Sequence, residues 1–119
     1  MGMTFVRARL TNFQDQRRST EIEMTVDSGA IYSVVPSAIL RSIGVKPQST
    51  QRFGLADGRS VRRGVGFVMF EIQGSVGVSK VIFGRTGDAS LLGMVTLEEL
   101  GLSLDPLKRQ LRPLKLMIA

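Results

Sequence analysis

Apolar and polar residues alternate with a period of two near the start of the chain, where Val6, Ala8 and Leu10 stand against Arg7 and Arg9. Successive side chains of a strand point to opposite sides, so this is the pattern of a strand with one buried face. A polar stretch over residues 14–20 follows, and the alternation resumes with Ile22, Met24 and Val26 against Glu21, Glu23 and Thr25. The second run is expected to pair antiparallel with the first. Asp27 then falls where a strand ends.

Residues 31–35 are mainly apolar and β-branched, and Pro36 suits the start of a short helix over residues 37–43, closed by Gly44. Between Arg52 and Glu71, two extended stretches flank Ala56-Asp57-Gly58-Arg59. Asp-Gly in that setting is the strongest short-range hairpin signal, which puts the tip of a long hairpin at Asp57 and Gly58. Residues 68–72 and 76–83 form another strand pair around Gly74, and a loop over residues 84–89 leads into Leu91-Leu92. Thr96 with Glu99 makes a capping box for a short helix that stops at Gly101. Residues 102–104 return to strand, Pro106 ends it, and residues 114–118 can form a last strand. The expected architecture is a single all-β domain over residues 1–119 with two short helices. Ile43-Gly44-Val45 is echoed by Leu100-Gly101-Leu102, although the spacings upstream differ.

Composition narrows the chemistry. A chain of 119 residues with 43% hydrophobic and 22% charged residues has the profile of one folded globular domain. The absence of cysteine removes thiolate nucleophiles, disulfides and Cys-ligated zinc. The absence of histidine removes the Ser-His-Asp and Cys-His arrangements and the common zinc hydrolase sites within this chain. Carboxylate chemistry remains.

No apolar run approaches the ~18 residues of a membrane span, and the N-terminus lacks the pattern of a secretory signal, so a cytoplasmic location and no membrane partner are the expectations. A net charge of +6 makes acidic partners conceivable. The basic residues are spread from Arg7 to Lys115 rather than grouped, which argues against a dedicated nucleic-acid surface. Gly84-Arg85-Thr86-Gly87 is similar to the glycine loop of KH domains, but that loop joins two helices and this one follows a strand pattern.

Asp27-Ser28-Gly29 alone is a turn signal, since those residue types favour turns by backbone preference. Its setting carries more information: strand-like apolar sequence flanks it on both sides and a small residue, Ala30, follows. Val26-Asp27-Ser28-Gly29-Ala30 resembles the active-site loop of the retropepsin family, the retroviral-type aspartic proteases. Leu91-Leu92-Gly93 before a short helix resembles that family's second motif, and the hairpin tipped by Asp57-Gly58 lies between them where the family has a flap. The order of parts covers almost the whole chain.

The resemblance implies a retropepsin-like single-lobe β-barrel and an aspartic endopeptidase. Asp27, Ser28 and Gly29 would form the catalytic loop. Ala30, Ala56, Asp57, Gly58, Leu91, Leu92 and Gly93 would contact a peptide or protein substrate. No metal or organic cofactor is implied. Two carboxylates are needed, one as base for water and one as acid for the carbonyl oxygen. The chain has a single Asp-Ser-Gly, so the second aspartate is expected from another copy in a two-fold homodimer. In viral members the termini interleave at the dimer interface, which would recruit residues 3–6 and 114–118; such segments can equally pack on their own subunit. Viral members also pair an aspartate after Gly-Ala with an arginine after the second motif's glycine. Ile31 and Met94 occupy those places, so an apolar contact is expected instead. The competing readings are an inactive retropepsin-fold module that dimerises or binds peptides, and a basic nucleic-acid-binding β domain.

Overall fold

The computed structural model describes residues 3–115, 117 and 118. The chain opens with β1 (Thr4–Thr11) and β2 (Ser19–Val26), paired antiparallel along their full length from Thr4↔Val26 to Thr11↔Ser19. Ala8, Leu10, Met24 and Val26 are buried, while Arg7, Arg9, Glu21 and Glu23 face out, as the alternation requires. After a loop come β3 (Ser33–Pro36), α1 (Ser37–Ser42), β4 (Ser49–Gly54), β5 (Ser60–Ile72) and β6 (Ser75–Gly84). The chain closes with β7 (Leu91–Leu92), α2 (Met94–Glu99), β8 (Leu102–Asp105) and β9 (Gln110–Pro113).

Seven strands form one sheet in the order β1-β2-β7-β3-β6-β5-β4, and β1 also pairs with β5. That extra pairing, Arg9↔Glu71 to Thr11↔Met69, closes the sheet into a barrel and leaves β4 as a projecting edge. The two hairpins read from the sequence share one long strand. β5 pairs with β4 from Gly54↔Ser60 to Ser49↔Val65, then with β6 from Val65↔Ile82 to Ile72↔Ser75. The turn between β5 and β6 is Gln73-Gly74, both at positive φ (52° and 84°), the geometry that matches strand twist in a two-residue hairpin. Leu10, Met24, Val35, Leu40, Val68, Phe70, Val81, Leu92 and Leu97 form a continuous core inside the barrel and under the two helices.

The echo between the two helices is structural. Gly44 and Gly101 follow α1 and α2 at φ 79° and 69°, a region that glycine enters without penalty, and each donates its N–H back into its helix, to Arg41 at 2.9 Å and Glu98 at 3.0 Å. The apolar residues flanking each glycine, Ile43 and Val45, Leu100 and Leu102, are buried.

Two expectations are corrected. Thr96 is no cap: α2 begins at Met94 after Gly93, and Thr96 is fully buried inside it. Its hydroxyl has better partners in the core than a helix terminus offers. The last strand is β9 rather than residues 114–118. The turn after Pro106 is held by Asp105, whose Oδ1 accepts the N–H groups of Leu107 (3.1 Å) and Lys108 (3.2 Å), so the chain reverses early and pairs with β8. Residues 114, 115, 117 and 118 are not in strands, and residue 116 lies outside the described residues.

Candidate active site

β7 lies between β2 and β3, parallel to β2 (Thr25↔Leu91, Val26↔Leu92) and antiparallel to β3 (Val34↔Leu91). The loop joining β2 to β3 must therefore cross the end of β7. Asp27 is the first residue of that crossing. Its N–H donates to the carbonyl of Leu92 at 3.2 Å, which continues the β2–β7 ladder by one bond and fixes where the side chain emerges. The chain then turns tightly: Ala30 N–H donates to the Asp27 carbonyl at 3.1 Å, and Gly29 N–H donates to Asp27 Oδ1 at 2.8 Å. A Cβ on Gly29 would stand 3.3 Å from that same oxygen, so a side chain there would press on the carboxylate. Asp27 is half-buried and Ser28 and Gly29 are exposed, so the carboxylate is anchored from below and open from above.

Gly93 holds the loop from the other side. A Cβ at this position would collide with the carbonyl of Tyr32 and lie 2.8 Å from that of Ile31, so the crossing can lie close over β7 only because this residue has no side chain. Met94 and Val95 donate N–H groups to the carbonyls of Ala30 and Ile31, each at 2.9 Å. Behind them, Gly93 N–H donates to Ser33 Oγ at 3.0 Å, and Ser33, Thr96 and Ser79 are joined by hydroxyl hydrogen bonds of 2.5 and 2.9 Å in the buried core. All three hydroxyls have partners, as buried polar groups require.

Two hollows open beside this loop and share Leu91 as a wall. One, of about 650 Å³, is lined by Asp27, Ser28, Met3, Leu104 and Leu107 among others. The other, of about 350 Å³, is lined mainly by apolar side chains: Val34, Phe53, Leu55, Val61, Ile82 and Leu91. Phe53 meets Tyr32 edge to face, with ring centroids 6.4 Å apart, and Lys80 Nζ lies 4.3 Å from the Tyr32 ring centre. The β4–β5 hairpin is thereby packed toward the loop that follows Asp27.

A buried-edge ion pair fixes the far wall. Arg63 on β5 donates from Nε to Asp88 Oδ2 at 2.8 Å and from a terminal nitrogen to Oδ1 at 3.2 Å. Asp88 also accepts the N–H of Arg85 at 2.8 Å. The Arg63 guanidinium, seconded by that N–H, holds the Asp88 carboxyl below the usual range despite its partial burial, and the hydrogen bond to Asp88 raises the Arg63 pKa in turn.

The site residues expected from sequence separate into groups. Asp27, Ser28, Gly29 and Ala30 share one turn with Leu91, Leu92 and Gly93 beside them. Of that second trio only Leu91 lines a hollow; Leu92 is fully buried and Gly93 is buried. Ala56, Asp57 and Gly58 form the exposed hairpin tip, with Gly58 at φ 89° and Asp57 bonded to Arg59 at 2.7 Å, and they line neither hollow. The hairpin residues that do are Phe53, Leu55, Val61 and Arg63. Their alternation along β4 and β5 was the available signal. Ile31 is 63% exposed and Met94 is half-buried, and the N–H groups of Met94 and Val95 bond the carbonyls of Ala30 and Ile31. Gly84-Arg85-Thr86-Gly87 joins two strands, not two helices. Among the described residues no group of three or more Asp, Glu, His or Cys is placed to hold a metal, and no helix is long and apolar enough to cross a membrane.

Among solved structures, the chain is similar to the solution structure of Simian Foamy Virus (mac) protease. The identity is 22% and the TM-score 0.57, over 79% of this chain and 91% of that one. No family model and no curated relative matches the sequence. The likeness is one of fold: a mostly β, retropepsin-like barrel with two short helices.

Proposed function

We propose that this chain is one subunit of an aspartic endopeptidase, and that its active centre forms when the Asp27 loops of two copies meet across a two-fold axis. The observation that carries the reading is the anchoring of Asp27: its N–H is tied to Leu92, Gly29 N–H is tied to its carboxylate, and its outer side is open. A turn that served only to reverse the chain would need neither the crossing over β7 nor the close approach at Gly93. The fold shared with a viral protease supports the same reading.

Two such carboxylates about 3 Å apart cannot both ionise and share a proton. The ionised one takes a proton from water as its oxygen attacks the peptide carbonyl; the protonated one gives its proton to the carbonyl oxygen. Collapse of the tetrahedral intermediate returns that proton and protonates the leaving amine. Gly29 leaves room for substrate above the loop, and Ser28, exposed beside Asp27, is the residue that would brace the two loops against each other. The β4–β5 hairpin is the flap. The outer edge of β4 offers unpaired backbone groups to an extended peptide, in the manner of strand addition, and the hollow lined by Phe53, Val61 and Leu91 suits an apolar side chain.

The second reading, a peptide-binding module without hydrolysis, keeps the same groove. Cleavage of a peptide library from acidic to neutral pH, with mass by light scattering, separates them. The expected result is cleavage by the dimer and none by Asp27→Asn, which should still bind peptide. Peptide binding with no cleavage by the unsubstituted chain at any pH would select the module.

A further inference from the structure

We infer that the end of the barrel remote from Asp27 takes up an extended acidic peptide segment, which fills a gap in the wall at Phe67. The inference does not rest on the reading of Asp27. Ile72 and Ser75 flank the two-residue turn between β5 and β6 and so form a hydrogen-bonded pair. Bonded positions alternate, so even-numbered residues of β5 turn their N–H and C=O groups toward β6 and odd-numbered ones toward the opposite edge. The bond from Gln48 N–H to the Val65 carbonyl, 2.7 Å, agrees with that phase. β4 occupies this edge as far as Val65, and β1 occupies it from Met69. Phe67 lies between them, and among the described residues no backbone group bonds its N–H or C=O. At ~3.3 Å per residue, the opening from Val65 to Met69 is about 13 Å, room for roughly three residues of another strand.

Asn12 is the reason for the gap. One more step of β1 would set Phe13 opposite Phe67, but the Asn12 side chain accepts the Gln14 N–H at 2.9 Å and donates to the Ile43 carbonyl at 3.0 Å, which turns the chain away. The hollow left behind, of about 570 Å³, is lined by Phe13, Arg18, Lys46, Gln48 and Phe67 among others. Arg18 lies over Gly44, where a Cβ would collide with its guanidinium, and it reaches the Ser42 carbonyl at 3.4 Å. Among the described residues neither Arg18 nor Lys46 forms an ion pair. The acid of the same loop, Asp15, is held by Arg17 at 3.0 Å and does not line the hollow.

The chemistry of the gap selects its occupant. Phe67 presents a donor and an acceptor side by side. A phosphate or a lone carboxylate can meet only the donor, whereas a peptide backbone meets both, as a strand added to an open edge does. Two cations without an acidic partner favour acidic side chains on that peptide. The rings of Phe13 and Phe67, 40% and 45% exposed, offer apolar surface to the residues between. The loop that carries Arg18 joins β1 to β2 at the end away from Asp27; Ser19 and Val26 bound β2, about 23 Å apart at ~3.3 Å per residue. A protein held at the gap leaves Asp27 uncovered.

The probe is a fluorescein-labelled, terminally blocked hexapeptide of alternating glutamate and leucine, read by anisotropy on the full chain. It should bind saturably, and Arg18→Gln combined with Lys46→Gln, at two exposed positions, should weaken it at least tenfold without lowering the melting temperature. N-methylation of the peptide backbone should weaken it as much. Amide hydrogen exchange gives a second readout: Phe67 N–H should exchange faster than those of Val65 and Met69 in the free chain and become protected when the peptide is added. Equal binding of the double variant, of the N-methylated peptide or of a peptide with lysine in place of glutamate would overturn the inference, as would unchanged exchange at Phe67. A short single-stranded oligonucleotide that binds where the peptide does not would overturn it too, and would make the hollow a nucleic-acid contact instead.

Discussion

Asp27 is tied to Leu92 by one backbone hydrogen bond of 3.2 Å, and the residue after Leu92 is the glycine whose missing side chain lets the Asp27 loop cross. The placement of the carboxylate thus depends on a contact between segments far apart in sequence. Gly93→Ala forces a methyl group into the Tyr32 and Ile31 carbonyls, which are backbone and cannot rotate away. Overpacking of this kind costs about 3 kcal/mol. Urea unfolding should show that loss, and any remaining folded protein should have lost cleavage. A stability within about 0.5 kcal/mol of the original would mean that the crossing is looser than described.

Thr96→Val keeps the shape of the side chain and removes its hydroxyl from the chain of bonds linking Ser33 and Ser79. The two serines are left with unfilled partners in the core, and the expected loss is about 1–3 kcal/mol. Thr96→Ser should recover most of it. Thermal melts of both variants check the difference; a larger loss in Thr96→Ser than in Thr96→Val would show that the methyl group, not the hydroxyl, is what matters.

The same position shows where sequence patterns misled. Thr96 and Glu99 have the spacing of a capping box, and that spacing cannot distinguish a hydroxyl at a helix start from one pointing into a core assembled from β3 and β6. What was legible was local: the alternation in β1 and β2, the Asp57-Gly58 turn, the break at Gly74, the glycines that end both helices, and the Asp27 loop itself. What was not legible came from long-range pairing. β9 exists because Asp105 holds an early turn and β8 offers it an edge. Phe53, Leu55 and Val61 gained their place when the hairpin packed over the loop rather than standing clear of it.

Asp88 and Arg63 join the loop before β7 to the hairpin strand β5. The Asp88 carboxyl is held below its ordinary pKa by Arg63, so the folded state favours its ionised form. The stabilisation is present in full above the unfolded-state pKa of about 4 and is lost as pH falls through the lower folded value. Asp88→Asn should therefore cost about 1.5–3 kcal/mol at neutral pH, as loss of a charge-assisted bond does. The gap between variant and original should close as pH falls through that lowered folded-state value. Urea midpoints across that range test it. A gap that persists undiminished at low pH would show that packing, not charge, holds this wall.

Two copies of Asp27 are proposed to make one active centre, and the activity of a covalently tethered pair carrying one Asp27→Asn tests this. If the two carboxylates share a single proton and a single water, replacing either one abolishes cleavage, and the pair with one aspartate is as inactive as the pair with none. If each chain worked alone, the singly substituted pair would retain about half of the original rate, and that result would exclude a shared centre.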